Sequence, residues 1–265
     1  MERRLLAAVT LFLVIVPARA HDYWLMPESF FAAPGSTDEL RLLMGDDFVV
    51  EEERPFQKKP TLRFRHFAGK ETSDLSGEDG KKPFARLSLK ESVTHLIALD
   101  RASSLIKLEA DKFNKYLKEE GLDAILEARR KAGEDRSPGR ERYSRYIKTL
   151  IQAGDKPDDT ATRVIGQKLE IVLQANPYRL KAGDSLTVKV LFEGKPLARA
   201  KVFAHHREKE KTRTQSTTTS AEGLATFKLN ASGPWLIRLV HMRRAVKDAD
   251  ADWESFWAAL TFALK

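Results

Sequence analysis

Between residues 167 and 265, apolar and polar positions alternate with a period of two. Leu169, Ile171 and Leu173 fall on one side of a predicted strand, and Leu186, Val188, Val190 and Phe192 on one side of the next. Glu193-Gly194-Lys195 then reads as a hairpin turn. Ala200, Val202, Ala204 and His206 follow, then Ala225, Phe227 and Leu229 after the turn Ala221-Glu222-Gly223. Ser232-Gly233-Pro234 precedes Trp235, Ile237, Leu239 and His241. Short alternating runs separated by turn formers predict an antiparallel sandwich.

Residues 21–110 carry the same signal. Leu40 to Met44, Leu62 to Phe67 and Val93, His95, Ile97, Leu99 read as strands. Pro34-Gly35, Gly45-Asp46-Asp47 and Ser76 to Gly80 read as turns between them. The period changes over 111–154. Asp111 is a candidate cap for a helix carrying Phe113, Tyr116 and Leu117, and Gly121 suits its end. Glu127 to Arg142 reads as a mobile loop. Tyr143, Tyr146, Ile147, Leu150 and Ile151 form a stripe of helical spacing that ends at Gly154. The expected fold class is therefore mainly β. It has two β-sandwich domains, immunoglobulin-like or transthyretin-like, at 21–110 and 155–265, with a helical segment at 111–154.

The first twenty residues stand apart. Met-Glu-Arg-Arg precedes an uncharged run from Leu5 to Val16 and the small-x-small site Ala18-Arg19-Ala20. This pattern predicts a cleaved secretory signal, a periplasmic product and His21 as the new N-terminus. No later apolar run is long enough to span a membrane. The formal charge of +8 is spread over scattered Lys and Arg mixed with Asp and Glu, which predicts weak attraction to anionic surfaces rather than nucleic-acid recognition. The absence of cysteine removes disulfides, thiolate metal sites and iron–sulfur clusters. No Gly-x-Ser-x-Gly, P-loop, dinucleotide or His-Glu-x-x-His motif is present, so hydrolase and nucleotide chemistry have no sequence support.

His21-Asp22-Tyr23-Trp24-Leu25-Met26-Pro27, directly after the signal, resembles the start of a family of bacterial exported proteins. The resemblance continues through Lys112 to Leu122, Glu141 to Tyr146, Asn176-Pro177-Tyr178, Trp235 to His241 and Trp257 to Phe262. The family is a domain of unknown function linked to nickel and cobalt uptake as a periplasmic component. The resemblance implies β-sandwich domains, the last similar to the transthyretin-like regulatory domains of carboxypeptidases. It also implies a membrane metal transporter as partner.

The candidate chemistry is a histidine metal site. A terminal His offers two nitrogens, its amine and its ring Nδ1. A second imidazole on a strand would complete a three-nitrogen set of the histidine-brace type. Such a set favours Cu(II) in the affinity series, with Ni(II) and Co(II) the other candidates. His241 is the first candidate for that second ring, His206 the second and His205 the third. Asp22 could add a carboxylate oxygen. Met26 and Met242 lie next to these positions but are expected to pack in the core. Competing readings apply to each histidine. A His at the inner end of a strand is more often a hydrogen-bonded core residue, His205 and His206 suit a solvated loop, and His66 and His95 read as structural. The acidic runs Asp46-Asp47 with Glu51 to Glu53, and Asp248 to Glu254, read as solvated loops.

Three classes of function follow. The first is a periplasmic transition-metal binder, not an enzyme, acting in metal uptake or handling. The second is a metal-free carbohydrate- or protein-binding module. The third is a copper oxidase or oxygenase.

Overall fold

The structure, a computed structural model, describes residues 21–208 and 211–265. The predicted signal segment lies outside the described residues. The chain is mainly β, as its alternation predicts. Its centre is a nine-stranded open sheet. From one edge the strands are Lys211–Thr218, Lys201–Glu208, Gly233–Arg244, Trp253–Leu264, Gly139–Ala153, Thr94–Leu108, Thr61–Ala68 and Glu71–Asp74, with the short Phe31–Ala32 paired beside Gly139–Ala153. Trp253–Leu264 runs parallel to Gly139–Ala153, and this pairing joins strands from the two halves of the chain.

A four-stranded sheet covers each face of this central sheet. Asp22–Pro27, Ser36–Gly45, Glu52–Arg54 and Ala85–Leu89 form one. They bury Trp24, Leu25, Leu40, Leu42 and Phe84 against Phe64, Ile97, Leu99, Ile147 and Ile151. Leu169–Leu173, Ser185–Phe192, Lys195–Pro196 and Leu224–Lys228 form the other. They bury Leu186, Val188, Val190 and Phe227 against Leu96, Leu150, Ile237, Leu239 and Leu260. The hairpin between Ser185–Phe192 and Lys195–Pro196 turns at Glu193 (φ 51°) and Gly194 (φ 76°). Both positive angles match the primed turn that the Glu-Gly pair predicts.

The stripe Tyr143 to Ile151 is a strand, Gly139–Ala153, and not a helix. The cause is burial on both faces. Tyr146 and Leu150 face the C-terminal small sheet, and Ile147 and Ile151 face the N-terminal one. Between them Lys148 and Thr149 are buried but satisfied. Lys148 Nζ lies 2.7 Å from Glu170 and donates to the Ile171 carbonyl at 3.0 Å, and Thr149 accepts from Thr261 at 2.7 Å. Two polar residues inside a doubly buried strand reproduce the spacing of a helical face.

Helices occupy Ala110–Glu119 and Asp123–Lys131. The first begins one residue before the expected cap Asp111, and the second runs from Asp123 into the stretch from Glu127 that reads as a loop. Phe113, Tyr116 and Leu117 pack on Val240, Met242, Trp253 and Trp257. The helices thus cover the part of the central sheet next to the N-terminal small sheet.

Candidate functional site

His21 enters the fold through strand register. Asp22 to Pro27 pairs antiparallel with Leu40 to Gly45, with Asp22 opposite Gly45. Continuing that register sets His21 beside Asp46. The turn after Gly45 is tight, since a Cβ there would lie 1.9 Å from the Val49 carbonyl oxygen. Asp47 and Phe48 both adopt left-handed backbone angles, 51° and 61°. For a residue as bulky as Phe48 this is a strained conformation, and the surroundings must hold it. The Phe48 ring does so by burying itself edge-on against Trp24, with centroids 5.4 Å apart. The chain then returns through the bond from Glu51 N–H to the Met44 carbonyl at 2.9 Å, which brings Glu51 back to His21.

The outcome is a cluster of one nitrogen and two carboxylates. His21 Nδ1 lies 3.3 Å from Asp46 Oδ1 and 3.5 Å from Glu51 Oε2. One ligand atom from each of the three residues falls within 4.8 Å of the others. Nδ1 is buried and lacks a hydrogen-bond partner. Neighbouring ligands of an ion with bonds of about 2.1 Å stand about 3.0–3.4 Å apart, from octahedral to tetrahedral geometry, so the two nitrogen–oxygen spacings are close to those of a shared ion. Arg145 fixes the backbone here by donating from Nη2 to the His21 carbonyl at 3.1 Å.

Asp22 is committed elsewhere. Its carboxylate lies 2.8 Å from Arg238 Nε, and Arg238 Nη1 also bonds Glu120. Burial pushes the Asp22 pKa up to about 7 against the pull of Arg238. Burial raises Glu120 as well. It works against the charge of Arg238 too, but the two carboxylates outweigh it and hold that group above its ordinary range. This triad forms the floor of a cavity of about 540 Å³ lined also by Asp46, Tyr116, Phe203 and His205.

The other predicted ligands divide between the two faces of the central sheet. His241 lies opposite Phe256, and His206 opposite Trp235. Both rings face the C-terminal small sheet, whereas His21 and Arg238 lie on the other face. The His241 ring sits 4.4 Å from Phe192 and 6.2 Å from Phe256, and burial pushes its pKa down to about 4. The His206 ring sits 4.8 Å from Trp235, with Nε2 2.7 Å from the Ser232 carbonyl. Neither ring meets His21, which corrects the three-nitrogen set expected from the sequence. His205 and His206 are buried in a strand rather than solvated in a loop. Of the three candidate rings only His205 shares the face of His21. It bonds Thr214 and Arg238, and burial pushes its pKa down to about 3. His66 and His95 form a stacked, hydrogen-bonded pair at 2.7 Å. Met242 packs under the helices, away from His241.

Asp46 and Glu51 were missed because acidic runs beside turns are usually solvated. The available signal was register. Pairing Tyr23–Leu25 with Leu42–Met44 places Gly45-Asp46 next to the first strand's start, and the Gly-Asp-Asp turn folds the next acidic run back onto it.

Fold and cluster together define a mainly β protein of packed sheets, with a mixed nitrogen–carboxylate cluster at the entrance of its first strand. The chain belongs to the family described as Domain of unknown function (DUF4198), which matches residues 18–243. No curated protein matches it. Among solved structures it is similar to the three N-terminal domains of the Highly Immunogenic Outer Capsid protein (Hoc) of bacteriophage RB49. The identity is 8% and the TM-score 0.18, over 91% of this chain and 59% of that one.

Proposed function

We propose that the protein is a periplasmic binder of a divalent transition metal, Cu(II), Ni(II) or Co(II), serving metal uptake or handling. The observation that carries this reading is the buried Nδ1 of His21, which makes no hydrogen bond and is flanked by carboxylate oxygens at 3.3 and 3.5 Å. His21, Asp46 and Glu51 are the ligands. Removal of residues 1–20 would add the His21 amine, which loses its proton at little cost near neutrality. The set is richer in oxygen than an all-nitrogen brace. For such sites the affinity order still runs Co(II) below Ni(II) below Cu(II). Two carboxylates offset the ion's charge, and so small a ligand set leaves coordination positions for water or cargo exchange, which suits handling and release. The strained turn at Asp47 and Phe48 pre-positions both carboxylates. The nickel and cobalt link and the membrane transporter belong to the same proposal, and the family resemblance supports them.

The test is calorimetric titration of Ni(II), Co(II) and Cu(II) into protein that begins at His21, beside Asp46→Asn and Glu51→Gln. Stoichiometric binding weakened by about ten-fold or more in both variants is expected. Binding that is absent, or unchanged in both variants, would refute the assignment.

A further inference from the structure

Three arginines converge behind His21. Arg101 and Arg145 lie directly opposite each other on neighbouring strands, a like-charge pairing that is unfavourable by itself. The Arg145 guanidinium lies 4.0 Å over the Tyr23 ring and 4.6 Å over the Tyr143 ring. Arg54 stands opposite Leu42, which stands opposite Leu25. Its side chain therefore shares a face with Leu25 and, two residues back, with Tyr23. Arg101 Nη2 donates to Gln57 Oε1 at 2.8 Å, three residues beyond Arg54. Burial, with the charges of Arg145 and Arg54 adding to it, pulls the Arg101 pKa below its ordinary range.

Each guanidinium keeps one buried nitrogen without a hydrogen-bond partner: Arg54 Nε, Arg101 Nη1 and Arg145 Nε. Arg54 pairs with Glu52 at 2.6 Å; among the described residues neither Arg101 nor Arg145 has a carboxylate within ion-pair distance, and Asp22 and Glu141 act on Arg145 only from further away. Buried donors are nearly always satisfied, and a group of three orphaned charged donors is costly unless something accepts from them. Guanidinium N–H groups match the oxygens of a carboxylate or phosphate.

We propose that Arg54, Arg101 and Arg145 form an oxyanion site, taking a carboxylate or phosphate group of a small ligand. The site needs no metal at His21, so it stands or falls apart from the metal reading. Its position beside the metal cluster would let one acidic ligand approach both.

The test is calorimetric titration of metal-free protein with inorganic phosphate and, separately, with citrate, ionic strength being balanced with sodium chloride. Saturable binding of one or both is expected, weakened by about ten-fold or more in Arg101→Gln and in Arg54→Gln. Binding of phosphate alone assigns a phosphate-type ligand, and of citrate alone a carboxylate. Arg101→Gln should melt no lower than the parent in chloride buffer, because it removes a charge facing Arg145. If Arg101→Gln fails to fold, Arg54→Gln decides. No binding of either anion above chloride, or parent-like affinity in the folded variants, would overturn the proposal.

Discussion

The two faces of the central sheet bury their histidines in different company. On the face under the C-terminal small sheet, His241 and His206 sit among Phe192, Phe256 and Trp235, and among the described residues no carboxylate lies within ion-pair distance of their rings. On the other face, His205 borders the Asp22–Arg238–Glu120 triad, and His21 points at Asp46 and Glu51. Three of the four lie in strands and His21 directly precedes one, so alternation alone makes them equivalent candidates. Parity separates them. Arg238 and His241 are three residues apart on one strand and therefore point to opposite sides. A histidine at the end of an apolar face is thereby committed to half-buried aromatic surroundings, and the chemistry collects where that apolar face is absent.

Breaking the buried ion pair between the central sheet and the C-terminal small sheet gives the largest expected effect. Lys148→Ala would leave Glu170 buried without its ammonium, although Glu170 still accepts from the N–H groups of Ile165, Gly166 and Gln167. The expected loss is about 3–5 kcal/mol in urea unfolding. A helical stripe would instead leave Lys148 on its solvated side, where the substitution costs less than about 0.5 kcal/mol. A small loss would therefore contradict the doubly buried strand.

Acid provides the next test, and its sign follows from burial. The folded pKa of His241 is about 4, below its ordinary 6.5, so the unfolded chain binds the extra proton between these values. This contribution to stability is complete above pH 6.5 and is lost as pH falls towards 4. His66, at about 4, and His205, at about 3, act in the same direction. His241→Phe should flatten the fall in melting temperature between pH 6.5 and 4.5, removing roughly 1–3 kcal/mol of pH-dependent stability. A parallel fall in parent and variant would mean that the ring is not held neutral by Phe192 and Phe256.

Much of the fold was legible because most strands bury one face. Leu186 to Phe192 and the Glu193-Gly194 turn needed only period and turn chemistry. Gly139–Ala153 was not legible in the same way, since its partners come from both halves of the chain and its buried Lys148 is explained only by Glu170. The site divided similarly. His21 was visible from the predicted signal cleavage, a local pattern. Asp46 and Glu51 depend on how the first strand registers with the third, and on a strained turn whose angles no residue type predicts. The choice of His241 failed on parity, a relation between strands that one strand's alternation does not contain.

The most direct measurement is anomalous diffraction from crystals of protein beginning at His21 and loaded with Ni(II) or Cu(II). The account predicts one metal peak about 2.0–2.3 Å from His21 Nδ1 and from carboxylate oxygens of Asp46 and Glu51. A peak at His241 or His206 with none at His21, or no ordered metal in protein saturated by titration, would contradict it.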